Sequence, residues 1–164
     1  MNFADLDNQL LLQGPALARL TDEEFYDLCQ HNPTLRLERT ADHNIIAMPP
    51  AGSESSRKSG EIYGQLWLWN RQQQFGYVYD SSAGFTLPDG SVRSPSDGLA
   101  ALRRKMKIYL ANGVQLGFLL DPTHETVSIY RPGQPPEALT GFERELSGEE
   151  VLPGFSLDLR PLRR

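Results

Sequence analysis

At 164 residues, 39% apolar and 23% charged, the chain is long enough for one domain with a core and too short for two ordinary ones. Its 16 basic and 21 acidic residues give a net charge of −5, which excludes bulk attraction to nucleic acid and leaves only local basic patches for such a partner. No apolar run approaches the roughly 20 residues of a membrane helix, and the acidic start MNFADLDNQL is no secretory leader, so a cytoplasmic chain with no membrane partner is expected.

Residues 1–20 show no strong periodicity. Thr21 and Glu24 form the S/T-x-x-E capping box, and Leu20 with Phe25 adds a hydrophobic staple, so a helix is predicted to about His31, stopping before Pro33. Alternation at 35–39 and a second apolar stretch at 44–48 predict a hairpin, followed by a Pro49–Gly52 loop. A second helix is predicted over Ser53–Gln72, with Ile62, Leu66 and Trp69 on one face. Gly60 and Gly64 allow close packing of its backbone.

Residues 76–80 and 84–87 are strand candidates. The turn Pro88-Asp89-Gly90 leads to a return strand at 91–93. The third helix is capped by Ser96 or Asp97 and stopped at Asn112-Gly113. Leu99, Leu102, Met106, Tyr109 and Leu110 line one of its faces, and Lys105 falls on the border. A buried strand at 114–120, an alternating strand at 126–131 and a last strand near 155–159 complete an α+β pattern, one mixed sheet with flanking helices.

The stretches TDEEFYDL, LRLER, MPP, SSAGFTLPDG, VRSP, SPSD-x-LAALRRKMKIYLANGVQLGFLLDP, IYRPG and LPGFSLDL follow one another in the order of a known family. Together they resemble the Uma family of bacterial restriction endonucleases, in the PD-(D/E)XK nuclease superfamily. The resemblance runs over nearly the whole chain, most specifically from Ser94 to Pro122. It implies a single restriction-endonuclease-like domain over 1–164, DNA as substrate and a magnesium ion as cofactor.

The same comparison exposes a gap. In the family, an aspartate follows a first Ser-Pro pair, and a later strand carries a glutamate that runs into a second SPSD-like segment. Here Arg93-Ser94-Pro95 is followed at once by Ser96-Asp97. The chain is thus read as shortened at 95–96, without the two main catalytic carboxylates and with a sheet that lacks its central strand.

A nuclease of this kind uses the metal to activate water and neutralise the scissile phosphate, with hard oxygen ligands and a nearby lysine. By resemblance Lys105 takes the lysine position on the third helix, Glu61 is a candidate accessory carboxylate, and Asp97 is a helix cap that could substitute as a ligand. The bland readings stand beside these. Arg103, Arg104 and Lys107 read as a solvated face, and Glu54, Lys58 and Glu61 as surface pairs. Glu38 is expected to point outward and pair with an arginine. Cys29 is a small core residue, and His31, His43 and His124 lie too far apart in sequence for a metal cluster.

Two functions follow: a metal-dependent DNA endonuclease impaired by the shortening, or a non-catalytic, self-associating interaction module. The second rests on edges. A lost central strand is expected to leave the strands at 91–93 and 114–120 unpaired, which favours homo-oligomers.

Overall fold

The structure, a computed structural model, describes residues 9–48, 52–95 and 98–163. The chain divides into two compact units. The first spans residues 1–51 and 82–98, and the second spans 52–81 and 99–164. The class is α+β, as expected, but where the sequence predicts one mixed sheet the strands form three, and every pairing is antiparallel.

The first unit begins with β1 (Leu10–Leu12), a strand in the stretch that shows no periodicity. Helix α1 (Asp22–His31) follows. Both bonds of the capping box are present: the Glu24 amide donates to Thr21 Oγ1 at 3.2 Å, and the Thr21 amide to Glu24 Oε2 at 2.8 Å. Strands β2 (Arg36–Arg39) and β3 (Ile45–Met48) make the predicted hairpin. The Pro49–Gly52 loop lies outside the described residues up to Gly52. With β4 (Phe85–Thr86) and β5 (Val92–Arg93), the strands run in the order β1-β3-β2-β5-β4. Strand β5 therefore has a neighbour on each side, and the unpaired edge expected at 91–93 is not found.

Arg39 ties this unit together. Its buried guanidinium donates to Asp22 Oδ1 at 2.5 Å and to the carbonyl of Gly90 at 3.1 Å, and it lies 5.3 Å from the centre of the Phe25 ring. One side chain thus joins the start of α1 to the turn before β5.

The second unit contains α2 (Ser53–Gln73), α3 (Leu99–Ala111) and five strands. β6 (Gly117–Asp121), β7 (Thr126–Tyr130) and β8 (Glu137–Thr140) form a meander, and β9 (Glu145–Ser147) pairs with β10 (Ser156–Asp158). Its core gathers Val127, Phe142, Leu146, Leu157, Leu159 and Leu162, with Ile62, Leu66 and Trp69 of α2 packed on it as their spacing predicts. Gln65 seals that contact: its amide oxygen accepts from the Asp158 amide at 2.8 Å, and its nitrogen donates to the Asp158 carbonyl at 3.0 Å.

Helix α3 ends at Gly113, whose φ of 95° suits a residue without Cβ. The Val114 amide bonds back to the Tyr109 carbonyl and the Gly113 amide to that of Leu110, the Schellman pattern. The predicted face of α3 packs against Leu119 and Tyr130, with Met106 at its centre. A Cβ at Gly117 on β6 would run into the end of the flexible Met106 side chain, which would have to swing aside.

Two expectations fail in this unit. A Cβ at Gly60 or Gly64 would meet open space, so neither glycine serves close packing. Residues 76–80 form no strand and run instead as a loop after α2, with Gly76 bonded back to Asn70.

Exposed ion pairs make the second unit acid-sensitive. The Arg131 guanidinium holds the Glu149 carboxyl below its ordinary range, Arg160 does the same for Asp158, and Arg57 brings Glu54 down to about 2. A depressed carboxyl stabilises the folded state above its unfolded pKa, and that contribution disappears as pH falls through the folded value. The midpoint of thermal unfolding is therefore expected to hold steady from pH 7 to about 5 and to fall below about 4.5, the ordinary glutamate value. Because these pairs are exposed or, for Arg131 and Glu149, half-buried, 1 M salt should partly flatten the profile, as should Arg131→Gln. A slope indifferent to both would assign the acid response to other groups.

Candidate active site

The residue beside the point where the family pattern breaks is Ser94, at the end of β5. Across the sheet from β5 stands Glu38 on β2, only 1% exposed. Glu38 Oε1 accepts from the Ser94 amide and from Ser94 Oγ, both at 2.9 Å, and Oε2 accepts from Arg93 Nη1 at 3.3 Å. The expectation that Glu38 faces outward is thus corrected, while its pairing with an arginine holds. β2 presents Glu38 and Arg39 to the interior, where each is matched by a group from the 89–94 segment or from the start of α1. The Nε of Arg93 is buried with no hydrogen-bond partner among the described residues.

Within the second unit, Lys105 lies on α3 and is 4% exposed, buried rather than at the border of the face. Arg103, Arg104 and Lys107 are exposed, as a solvated face requires. Glu61 on α2 accepts from Gln65 Nε2 at 3.1 Å and so braces the side chain that joins α2 to β10. Asp97, both as cap and as ligand, lies outside the described residues.

Glu38 and Glu61 do not fit a magnesium ion. An octahedral ion wants one or two carboxylates with oxygens to spare. Glu38 instead has both oxygens on protein donors, one of them a guanidinium, and Glu61 is turned to Gln65. Among the described residues, no three His, Cys, Asp or Glu side chains are grouped to hold a metal.

The remaining singled-out residues have structural roles. Glu54 pairs with Arg57 at 2.8 Å and Lys58 at 3.4 Å along α2. His124 finds a partner in Asp121 at 2.7 Å in the β6–β7 turn. Cys29 is half-buried, and burial pushes its thiol pKa up, as for an inert core cysteine. No helix among the described residues is long and apolar enough to cross a membrane.

Glu38 is what the sequence reading missed. The signal available was its place between Leu37 and Arg39 in a strand of alternating character, which is equally compatible with a solvent face.

No functionally curated protein matches the chain. A crystal structure described as that of "a putative nuclease belonging to DUF820" from Anabaena variabilis is similar in fold, with a TM-score of 0.69 at 19% identity, over 87% of this chain and 97% of that one. The family described as "Uma2: Putative restriction endonuclease" matches residues 22–95 and, separately, 91–160, so residues 91–95 belong to both matches. With nearly the whole chain covered, this protein belongs to the Uma2 family of restriction endonucleases.

Proposed function

We propose that this protein is a shortened, cytoplasmic descendant of a magnesium-dependent DNA endonuclease of the PD-(D/E)XK kind, in which phosphodiester hydrolysis is impaired. The observation that carries this reading is the double use of residues 91–95. The family matches the chain in two pieces, 22–95 and 91–160, that meet where the resemblance places the missing segment. By resemblance that segment holds the aspartate and the strand glutamate that ligate the metal.

What this reading leaves in the chain is the lysine position. Lys105 would stabilise charge developing on a phosphate, and Glu61 and Asp97 would serve only as weak substitutes. The Glu38 cluster supports the reading from the first unit, since the carboxylate beside the break is occupied by Arg93 and Ser94.

A second reading has one observation in its favour. Among the described residues β6 is an outer strand of its sheet, so an interaction module could self-associate there.

Plasmid nicking with Mg²⁺ or Mn²⁺, run beside Lys105→Ala and an EDTA control, tests the first reading. The expected result is no metal-dependent nicking above the EDTA background by protein that melts cooperatively, together with duplex-DNA binding that weakens steeply with salt. Metal-dependent cleavage that disappears in Lys105→Ala would show a working site and overturn the impaired reading. Concentration-dependent assembly with no DNA affinity would favour the module.

A further inference from the structure

The second unit carries an aromatic cleft that the nuclease lineage does not explain. It is a shallow hollow of about 350 Å³, lined by Tyr63, Trp67, Asn70 and Arg71 of α2 and by Tyr77 of the loop that follows. Tyr77 is 89% exposed and Trp67 41%, both unusual for large rings. Leu68 and Phe75 are exposed as well.

The loop that presents Tyr77 is built, not loose. Asn70 Oδ1 accepts from the amides of Phe75 and Gly76, each at 3.1 Å, and Asn70 Nδ2 donates to the Gly76 carbonyl at 2.8 Å. Gln74 closes α2 in the left-handed conformation, its amide on the Asn70 carbonyl at 2.7 Å. Phe75 is held by a ring contact with Trp69, 5.9 Å between centres. On the helix side, the Arg71 guanidinium lies 5.1 Å from the centre of the Trp67 ring.

The chemistry of the lining selects the occupant. It contains no acid, and its one formal charge is the positive Arg71, in a chain with five more acidic than basic residues. Flat aromatic faces beside an isolated cation suit a polymer that is anionic and carries stacking groups. An apolar peptide would have no use for Arg71, and duplex DNA keeps its base faces stacked inside. We propose that this cleft binds an unpaired stretch of DNA, with a base stacked on Tyr77 and Trp67 and a backbone phosphate at Arg71. The inference rests on the nuclease reading for the class of polymer, and adds single-strand recognition at a place apart from the Lys105 chemistry.

The test is fluorescence anisotropy of a labelled 20-nucleotide oligothymidine and of a 20-base-pair duplex, in EDTA so that nothing is cut. Tyr77→Ala removes an exposed ring and should leave the melting curve unchanged. It is expected to weaken single-strand binding about five- to 150-fold, the range for one stacked base. Arg71→Gln should reduce the slope of log affinity against log salt by about 0.7, the share of one phosphate contact on a single strand.

Single-strand binding that ignores both variants would overturn the cleft, and so would an unmodified chain that does not bind oligothymidine. Self-association abolished by Tyr77→Ala in light scattering would overturn it too, by assigning the surface to a second copy. Duplex binding without single-strand binding would remove the cleft and leave the nuclease lineage standing. Nicking by the unmodified chain would overturn only the impaired reading and would bear on the cleft only through the oligothymidine measurements.

Discussion

Replacing Glu38 with alanine is expected to cost the first unit about 3–5 kcal/mol, the range for breaking a buried ion pair by removing one partner. The loss has two parts. Arg93 stays buried as an uncompensated cation, and the amide and hydroxyl of Ser94 lose their common acceptor. Glu38→Gln keeps the shape and one acceptor oxygen, so it should cost less. The double variant Glu38→Met with Arg93→Met should recover much of the loss, because it removes the stranded charge instead of exposing it. Urea unfolding followed by far-ultraviolet circular dichroism measures all four proteins. Both tryptophans, Trp67 and Trp69, lie on α2 in the second unit, so their fluorescence reports that unit separately. A Glu38→Ala cost below about 1 kcal/mol would mean that the pair is solvated in solution and contributes no more than a surface bridge.

The contrast between Thr21 and Glu38 shows which parts of this fold were legible in the sequence. The capping box at Thr21 and Glu24, the Gly113 stop and the α3 face through Leu102 and Met106 depend on residues three to seven positions apart, so local spacing states them in full. Glu38 depends on Arg93 and Ser94, 55 and 56 residues later, and Arg39 on Gly90, 51 residues later. No periodicity encodes those distances, and a buried charge on a four-residue strand reads as an exposed one.

The short strands failed for a related reason. β1, β8 and β9 hold three or four residues each, too few to establish alternation, and they are strands only because a neighbour pairs with them. Residues 76–80 show the converse, a strand-like composition that the structure uses as a loop anchored on Asn70. Lys105 was singled out only through the family motif, whereas the burial of Glu38 and the exposure of Tyr77 are set by packing that no local spacing announces.

Inserting the segment that the proposed shortening removes should change the rate of DNA nicking more than any point substitution. The expectation is that a chain with the corresponding segment of a full-length family member inserted between Pro95 and Ser96 nicks plasmid in Mg²⁺ roughly 10³-fold faster than the parent, or more. One preorganised electrostatic group contributes roughly 10²–10³ to a rate, and by resemblance the segment brings two carboxylates. The restored strand would find an edge waiting at β6, the outer strand of its sheet, and covering that edge should also suppress any self-association. Two controls identify the source of the activity. Changing the inserted strand glutamate to glutamine should return nicking to the parent level, and Lys105→Ala in the restored chain should lower it roughly 10²–10³-fold. The reciprocal experiment removes the same segment from the full-length donor, which should lose its activity while still melting cooperatively. A restored chain that folds without nicking, or a shortened donor that still nicks, would place the chemistry outside the segment. In that case the shared residues 91–95 would have to be explained without a lost active site.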